Sequence, residues 1–166
     1  LDRLSGLPVY YTPVNQETSD ALATAFFRMT DHDVADRASV PTAEIEVQGR
    51  KLFVPKSLKG VAVFSFKRLC HNPLGAADYL AIARRYHTVF VVAIPQMGTD
   101  RRNEAKRFTT LIDALYENNV KLFCSAAVRP NELYPSGDGS FEFARTVSRL
   151  IEMQSDDYLA RGHGVG

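Results

Sequence analysis

Arginine is the residue type whose placement in this sequence could carry chemistry. Arg101, Arg102, Lys106 and Arg107 crowd the start of a segment whose apolar spacing predicts a helix. The partial positive charge of a helix N-terminus disfavours cations there by about 0.3–1 kcal/mol each at exposed sites. Asp100 and Glu104 stand close enough to offset part of this. Two readings stay open: a solvated face held by local ion pairs, or a place where arginine meets an anion supplied by another segment or subunit. Arg145 and Arg149, four residues apart, share one face of a later helix, with Glu152 three beyond Arg149. A guanidinium on a packed helix can grip a phosphate through two parallel hydrogen bonds, which lysine cannot do. The alternative use of that pair is an intrahelical Arg149–Glu152 bridge.

Other chemistries lack their parts. Nothing matches G-x-x-x-x-G-K-[ST] or G-x-G-x-x-G, the glycine-rich turns that aim backbone N–H groups at phosphates. The apolar run Thr88–Ile94 passes straight into Pro95-Gln96-Met97, with no acidic pair to hold magnesium. By itself the chain is therefore expected not to hydrolyse a nucleotide. His32, His71, His87 and His163 lack metal-ligand spacing, and neither Cys70 nor Cys124 forms a C-x-x-C. His71 adjoins Cys70, but neighbouring side chains at a strand end point to opposite sides, which argues against a thiolate–imidazole pair. Ser125 has no G-x-S-x-G elbow and reads as a strand-end polar group. The glycines of Gly162-His163-Gly164-Val165-Gly166 read as a frayed tail.

The elements that must position these side chains follow from periodicity. Pro8 to Tyr11 is a short extended segment ending at Pro13. Leu22, Ala25, Phe26 and Met29 mark one face of a helix over Thr18 to Met29. Ile45 and Val47, then Leu52 and Val54, flank Gln48-Gly49-Arg50 as a β-hairpin. From Gly60 the pattern changes to near-continuous apolar runs, as in strands covered on both faces: about 60–66, 88–94 and 120–127. Asn72-Pro73 offers a cap for a helix with Ala76, Tyr79, Leu80 and Ala83 inward. Ala105, Phe108, Leu111, Ile112, Leu115 and Tyr116 make the stripe of the next helix. A last helix is expected over Phe141 to Leu159, with Val147, Leu150, Ile151 and Tyr158 inward. Strand, helix, strand, helix, strand with short connections predicts an α/β fold with a parallel sheet. The organisation expected is a hairpin-bearing region, 1–59, and an α/β unit, 60–166, within one compact domain.

Length and charge narrow the function classes. The 166 residues suffice for one domain with a core. Twenty Lys and Arg against nineteen Asp and Glu leave a formal charge of +1, which supplies no basic footprint for nucleic acid or a membrane surface. No apolar run nears the roughly 20 residues of a membrane helix, and no secretory pattern opens the chain. Two cysteines inside apolar segments suit buried, reduced thiols better than a disulfide. The chain begins at Leu1, not Met, and is expected to be a piece of something longer.

Three ordered segments carry a family resemblance: RLCHNPLGAADYLAIARRYHTVFVVAIP from Arg68, EAKRFTTLIDALYENNVKLFCSAA from Glu104, and FARTVSRLIEMQSDDYL from Phe143. They resemble the Afg-like (ZapE) family of P-loop ATPases, the likeness running from about Tyr10 to Leu159. LGAADYL, RFTTLIDALY and RTVSRLIEMQS are its most specific motifs. The resemblance implies a ring-forming AAA+-type ATPase whose Walker A loop, Walker B acids and first sensor lie upstream of these residues. ATP and Mg would then be bound in the intact parent, with none expected in this chain alone. It also implies roles for arginines: Arg107 as an arginine finger or phosphate contact, Arg145 and Arg149 as a second-sensor arginine. Lys106 stands where the family commonly has Arg, which weakens any bidentate contact at that position. Thr88–Ile94, helix and Val120–Ala127 imitate a Walker B and sensor unit, but Ala93 and Ile94 stand where acids would be. A degenerate nucleotide-fold repeat and an ordinary βαβ unit both fit that pattern.

The partners so implied are the missing N-terminal ATPase half, a homo-oligomeric ring and a protein client. Bacterial members are linked to cell division and the FtsZ ring, mitochondrial relatives to protein quality control. A bacterial, cytoplasmic setting is expected. The alternative, from another class, is a non-catalytic interaction module that binds a protein partner through the Asp2–Val54 region. A nucleic-acid reading through Arg84, Arg85, Arg101 and Arg102 is disfavoured by the balanced charge, and membrane contact is not expected.

Overall fold

A computed structural model describes residues 8–31 and 39–165. His32 and parts of the Asp2–Val54 region lie outside them. The first strand, β1 (Tyr10–Tyr11), leads into helix α1 (Gln16–Thr30). Asn15 starts α1 with a reciprocal cap: its side chain accepts from the Thr18 N–H at 2.9 Å, while its own N–H donates to Thr18 Oγ1 at 3.1 Å. The hairpin forms as expected from β2 (Ala43–Val47) and β3 (Arg50–Val54). Gln48 and Gly49 both have positive φ, 51° and 82°, the tight two-residue turn whose twist matches the strands.

Strands β4 (Lys56–Leu58), β5 (Val61–Ser65), β6 (Thr88–Ile94) and β7 (Lys121–Ala126) complete the main sheet, in the order β1-β7-β6-β5-β4. Only β4 runs antiparallel, so the expected parallel core β5-β6-β7 stands. The sequence reading missed both edges: β1 and β4 come from the first 59 residues and lie in the same sheet as the rest. β4 turns into β5 at Lys59-Gly60, again with two positive φ values. A Cβ on Gly60 would fall 2.6 Å from the His87 ring, so this turn has room only for glycine.

Helices α2 (Ala76–Arg85), α3 (Arg102–Glu117) and α4 (Ser140–Glu152) cover one sheet face, packing Phe108, Leu111, Tyr79 and Ile82 against Phe64, Val89 and Val91. Helix α1 covers the other, where Phe26 meets Phe90 edge-on at 5.8 Å and Phe90 stacks on Phe123 at 4.7 Å.

Several local expectations are corrected. Asn72-Pro73 does not cap α2. Residues Lys67–His71 form a π-helical turn that ends at Asn72, and Gly75 caps α2, its N–H donating to Asp78 Oδ2 at 2.8 Å. Ala76 is consequently exposed, and Ile82 takes the inward position. The last helix is broken. α4 stops at Glu152, and a short α5 (Asp156–Leu159) restarts on the Ser155 cap. The break turns Tyr158 into the core and leaves Ile151 57% exposed. Nor does the C-terminal tail fray through Gly164, whose N–H donates to Asn118 O at 2.8 Å and whose carbonyl accepts from Asn119 Nδ2 at 2.7 Å.

Candidate functional site

The arginines predicted to do chemistry fall on two sides of α3. On one side Arg107, half-buried, donates to the Cys70 carbonyl at 3.0 Å and ties α3 to the π-helical turn. Glu104, one turn earlier, faces His71 Nδ1 at 2.9 Å and Arg101 at 3.6 Å. The predicted offset of the crowded cations by Glu104 is therefore present for Arg101. Arg102 reaches further, to Asp138 at 2.9 Å. His71 turns to Glu104 and away from Cys70. Burial raises the Cys70 thiol far above its ordinary range, as it does Cys124, and both are free. These are inert core thiols.

On the other side α3 meets α4. Asp113 receives both Arg145, at 3.2 Å, and Arg149. Arg149 also lies over the Tyr116 ring, 4.7 Å from its centre. The intrahelical Arg149–Glu152 bridge does not form. Glu152 instead accepts from Tyr116 at 2.8 Å and Arg161 at 3.0 Å. The two guanidiniums differ in freedom: the Arg149 side chain is 19% exposed and the Arg145 side chain 64%. Arg145 and Arg149 are thus brought together on one carboxylate, and Arg107 stands apart from them.

Between the first turns of α3, the 134–139 loop and the start of α4 lies a groove of about 530 Å³. Ala105, Tyr134 and Phe143 form part of its lining, with Arg102 and Lys106 opposite Asp138 and Glu142. Periodicity in the sequence gave no sign of it, because the loop that closes it has no regular pattern.

The carboxyl ends of the strands are where ligands settle in open α/β sheets. Here the backbone donors are already taken. Met97 N–H donates to Leu133 O at 2.7 Å, Ala127 N–H to Ile94 O at 2.8 Å, and Arg101 N–H to Gly98 O at 2.9 Å. Ala93 adopts φ 63° in a bulge of β6, and its N–H donates to Ser125 Oγ at 2.9 Å, which gives Ser125 the strand-end role expected of it. Among the described residues no three His, Cys, Asp or Glu side chains converge as metal ligands do. The groups on this chain do not by themselves make a cradle for a nucleotide triphosphate.

Lys121 was not singled out by the sequence. It opens β7, yet its residue is buried, and its ammonium donates to Asn119 O at 3.0 Å and Arg161 O at 2.7 Å above the Tyr158 ring. Burial, with the nearby Arg161 charge, lowers its pKa to about 8. The folded state then holds fewer protons than the unfolded one between pH 8 and the ordinary lysine range, so this group makes stability rise with pH across that window. Urea unfolding of Lys121→Met beside the parent should show the parent gaining on the variant from pH 8 to 10. Parallel curves would remove Lys121 as the source.

A mostly parallel α/β layer without its own phosphate cradle, and with arginines presented on helices, defines a class: a partial unit of a nucleotide-handling protein. The AFG1-like ATPase family matches residues 1–162, and the chain belongs to that family. It is 34% identical over its whole length to the cell division protein ZapE of Escherichia coli K12, of which it covers 43%. It is 33% identical, over 90% of its length, to the uncharacterised protein C115.02c of Schizosaccharomyces pombe, covering 38% of that protein. A zebrafish (Danio rerio) relative, lactation elevated protein 1 homolog B, is 32% identical over 71% of the chain and 30% of its own length. The chain therefore spans less than half the length of these relatives. No solved structure matches it. Among the described residues no helix is long and apolar enough to cross a membrane.

Proposed function

We propose that these residues are the C-terminal portion of an AAA+-like ATPase that couples ATP hydrolysis to remodelling a protein client. In this reading ATP and Mg are held by the portion that the longer relatives carry in addition, and this portion supplies arginines and contact surface. One observation carries it: a full-length match to a family of ATPases by a chain whose own strand ends have their backbone donors already engaged. The name of the E. coli relative supports a bacterial, cytoplasmic role in cell division, with FtsZ as the client and a homo-oligomeric ring as the working form.

Among the three arginines, Arg145 is the one placed to meet an anion from outside. It is largely exposed and shares its carboxylate with Arg149, so it can leave Asp113 without stranding a buried charge. Arg149 and Arg107 hold α4 and the π-helical turn in place through Asp113 and the Cys70 carbonyl.

Titration of Mg-ATP into the isolated chain, followed by backbone amide NMR shifts, tests the division of labour. No saturable shifts are expected at the ends of β5, β6 and β7 or around Arg107 and Arg149. Saturable shifts at any of these would mean that this portion binds nucleotide itself, and the reading would have to be abandoned.

A further inference from the structure

The outer face of α4 carries a pattern that packing within this chain does not use. Phe143, Thr146 and Leu150 point to the core. On the opposite side, at spacings of three, four and three, stand Phe141, Ala144, Ser148 and Ile151, all exposed. Phe141 is 88% exposed and Ile151 57%, two of the few large apolar side chains left in solvent among the described residues. They are about 15 Å apart along the helix axis, at 1.5 Å per residue. The alternating three–four spacing is that of a seam between two helices.

The order along this seam is large, small, small, large, which reads the same in both directions. An inverted copy of α4 therefore sets Phe141 against Ile151 and Ala144 against Ser148. The small pair at the crossing point lets the backbones approach, and the large pairs close both ends. A parallel copy would leave Phe141 on Phe141 and the small residues facing a gap. The face is thus complementary to itself about a two-fold axis, the condition for an isologous contact. Phe141 cannot fold back onto its own chain, because Phe143, two residues on, already fixes which side of the helix faces inward. We propose that α4 is a homodimer contact in which the outer faces of two copies pack antiparallel, crossing at Ala144 and Ser148.

One helix pair is a smaller patch than the roughly 800 Å² per partner of a stable interface, so the association is weak and concentration-dependent. Arg145 flanks the crossing, where its pair with Asp113 at 3.2 Å offsets the charge it brings close to its own copy.

Sedimentation equilibrium of the 166-residue chain should show reversible dimerisation. Phe141→Asp and, separately, Ile151→Asp should each weaken it roughly tenfold or more, given what burying such a side chain contributes. Both positions are exposed, so circular dichroism of each variant should match the parent. The register has its own readout. Mixing chains carrying Ala144→Cys with chains carrying Ser148→Cys should give a disulfide-linked heterodimer under mild oxidation, well ahead of either homodimer. A chain that stays monomeric at millimolar concentration, a dimer indifferent to both aspartates, or cross-linking without preference for the mixed pair would each overturn the proposal. None of these results bears on where nucleotide binds.

Discussion

Replacing Arg50 by alanine should destabilise the fold by about 2–3 kcal/mol, far more than a half-exposed turn residue ordinarily carries. The reason is its partner. Arg50 stands 2.7 Å from Asp78 Oδ1, and the Asp78 side chain is only 2% exposed against 51% for Arg50. The other carboxylate oxygen caps α2 through the Gly75 N–H. Oδ1 makes no hydrogen bond by geometry, so the ion pair is what compensates it. Removing the arginine leaves a buried charge with one side unanswered, a change that costs roughly 3–5 kcal/mol where both partners are buried and less here, because water reaches the turn. In a chain of this size the midpoint of thermal unfolding should fall by about 5–10 °C. Asp78→Asn keeps an oxygen to accept from Gly75 and removes the charge. The double variant should therefore recover part of the loss, and the coupling between the two should exceed about 1 kcal/mol. If Arg50→Ala unfolds within about 0.5 kcal/mol of the parent, the hairpin is held by its apolar side chains alone.

That ion pair also shows where sequence reading reached its limit. The hairpin was legible because Gln48-Gly49 is flanked by alternating apolar residues, a local signal. What joins it to the body is a contact between positions 50 and 78, and no periodicity encodes such a contact. The parallel core was legible for the same local reason: three long apolar runs separated by helical stripes leave few other arrangements. The edges were not. β1 is two residues long, and β4 has the sequence Lys-Ser-Leu, too short and too polar to announce a strand. Both exist because β7 and β5 offer free backbone groups beside them.

The candidate site was half legible. Arginine types and helical faces could be read, and Arg145 and Arg149 do share a face. Their partner could not be, since Asp113 lies on another helix while Glu152 stood at a plausible spacing on the same one. The tertiary acceptor won because α3 and α4 pack side by side, which also hands Glu152 to Tyr116 and Arg161. The break after Glu152 was hidden similarly. Met153-Gln154-Ser155 has no glycine or proline, and the helix stops there so that Ser155 can cap α5 and Tyr158 can donate to the Val120 carbonyl at 2.7 Å.

Arg145→Ala, introduced into the longer protein that includes the ATPase portion, should lower ATP turnover by about a thousandfold while leaving stability nearly unchanged. The expectation rests on the reading that this portion supplies an arginine to an anion bound elsewhere, and on the contrast between two neighbours. Arg145 is exposed and shares Asp113, so deleting it removes a surface pair worth little to folding, about 0–1 kcal/mol. Arg149 is mostly buried between Asp113 and the Tyr116 ring, so Arg149→Ala should cost about 2 kcal/mol through lost packing and a disturbed α3–α4 contact. Turnover per folded molecule should fall much less for Arg149→Ala than for Arg145→Ala. Arg145→Lys should lie between the parent and the alanine variant, because an ammonium keeps the charge but not the two-pronged hydrogen bonding. Steady-state turnover, normalised to the folded fraction from circular dichroism, separates the two effects. Full turnover in Arg145→Ala would show that the exposed arginine serves only Asp113. Loss in Arg149→Ala alone, at equal folded fraction, would move the functional role one turn along α4 to the arginine that now looks structural.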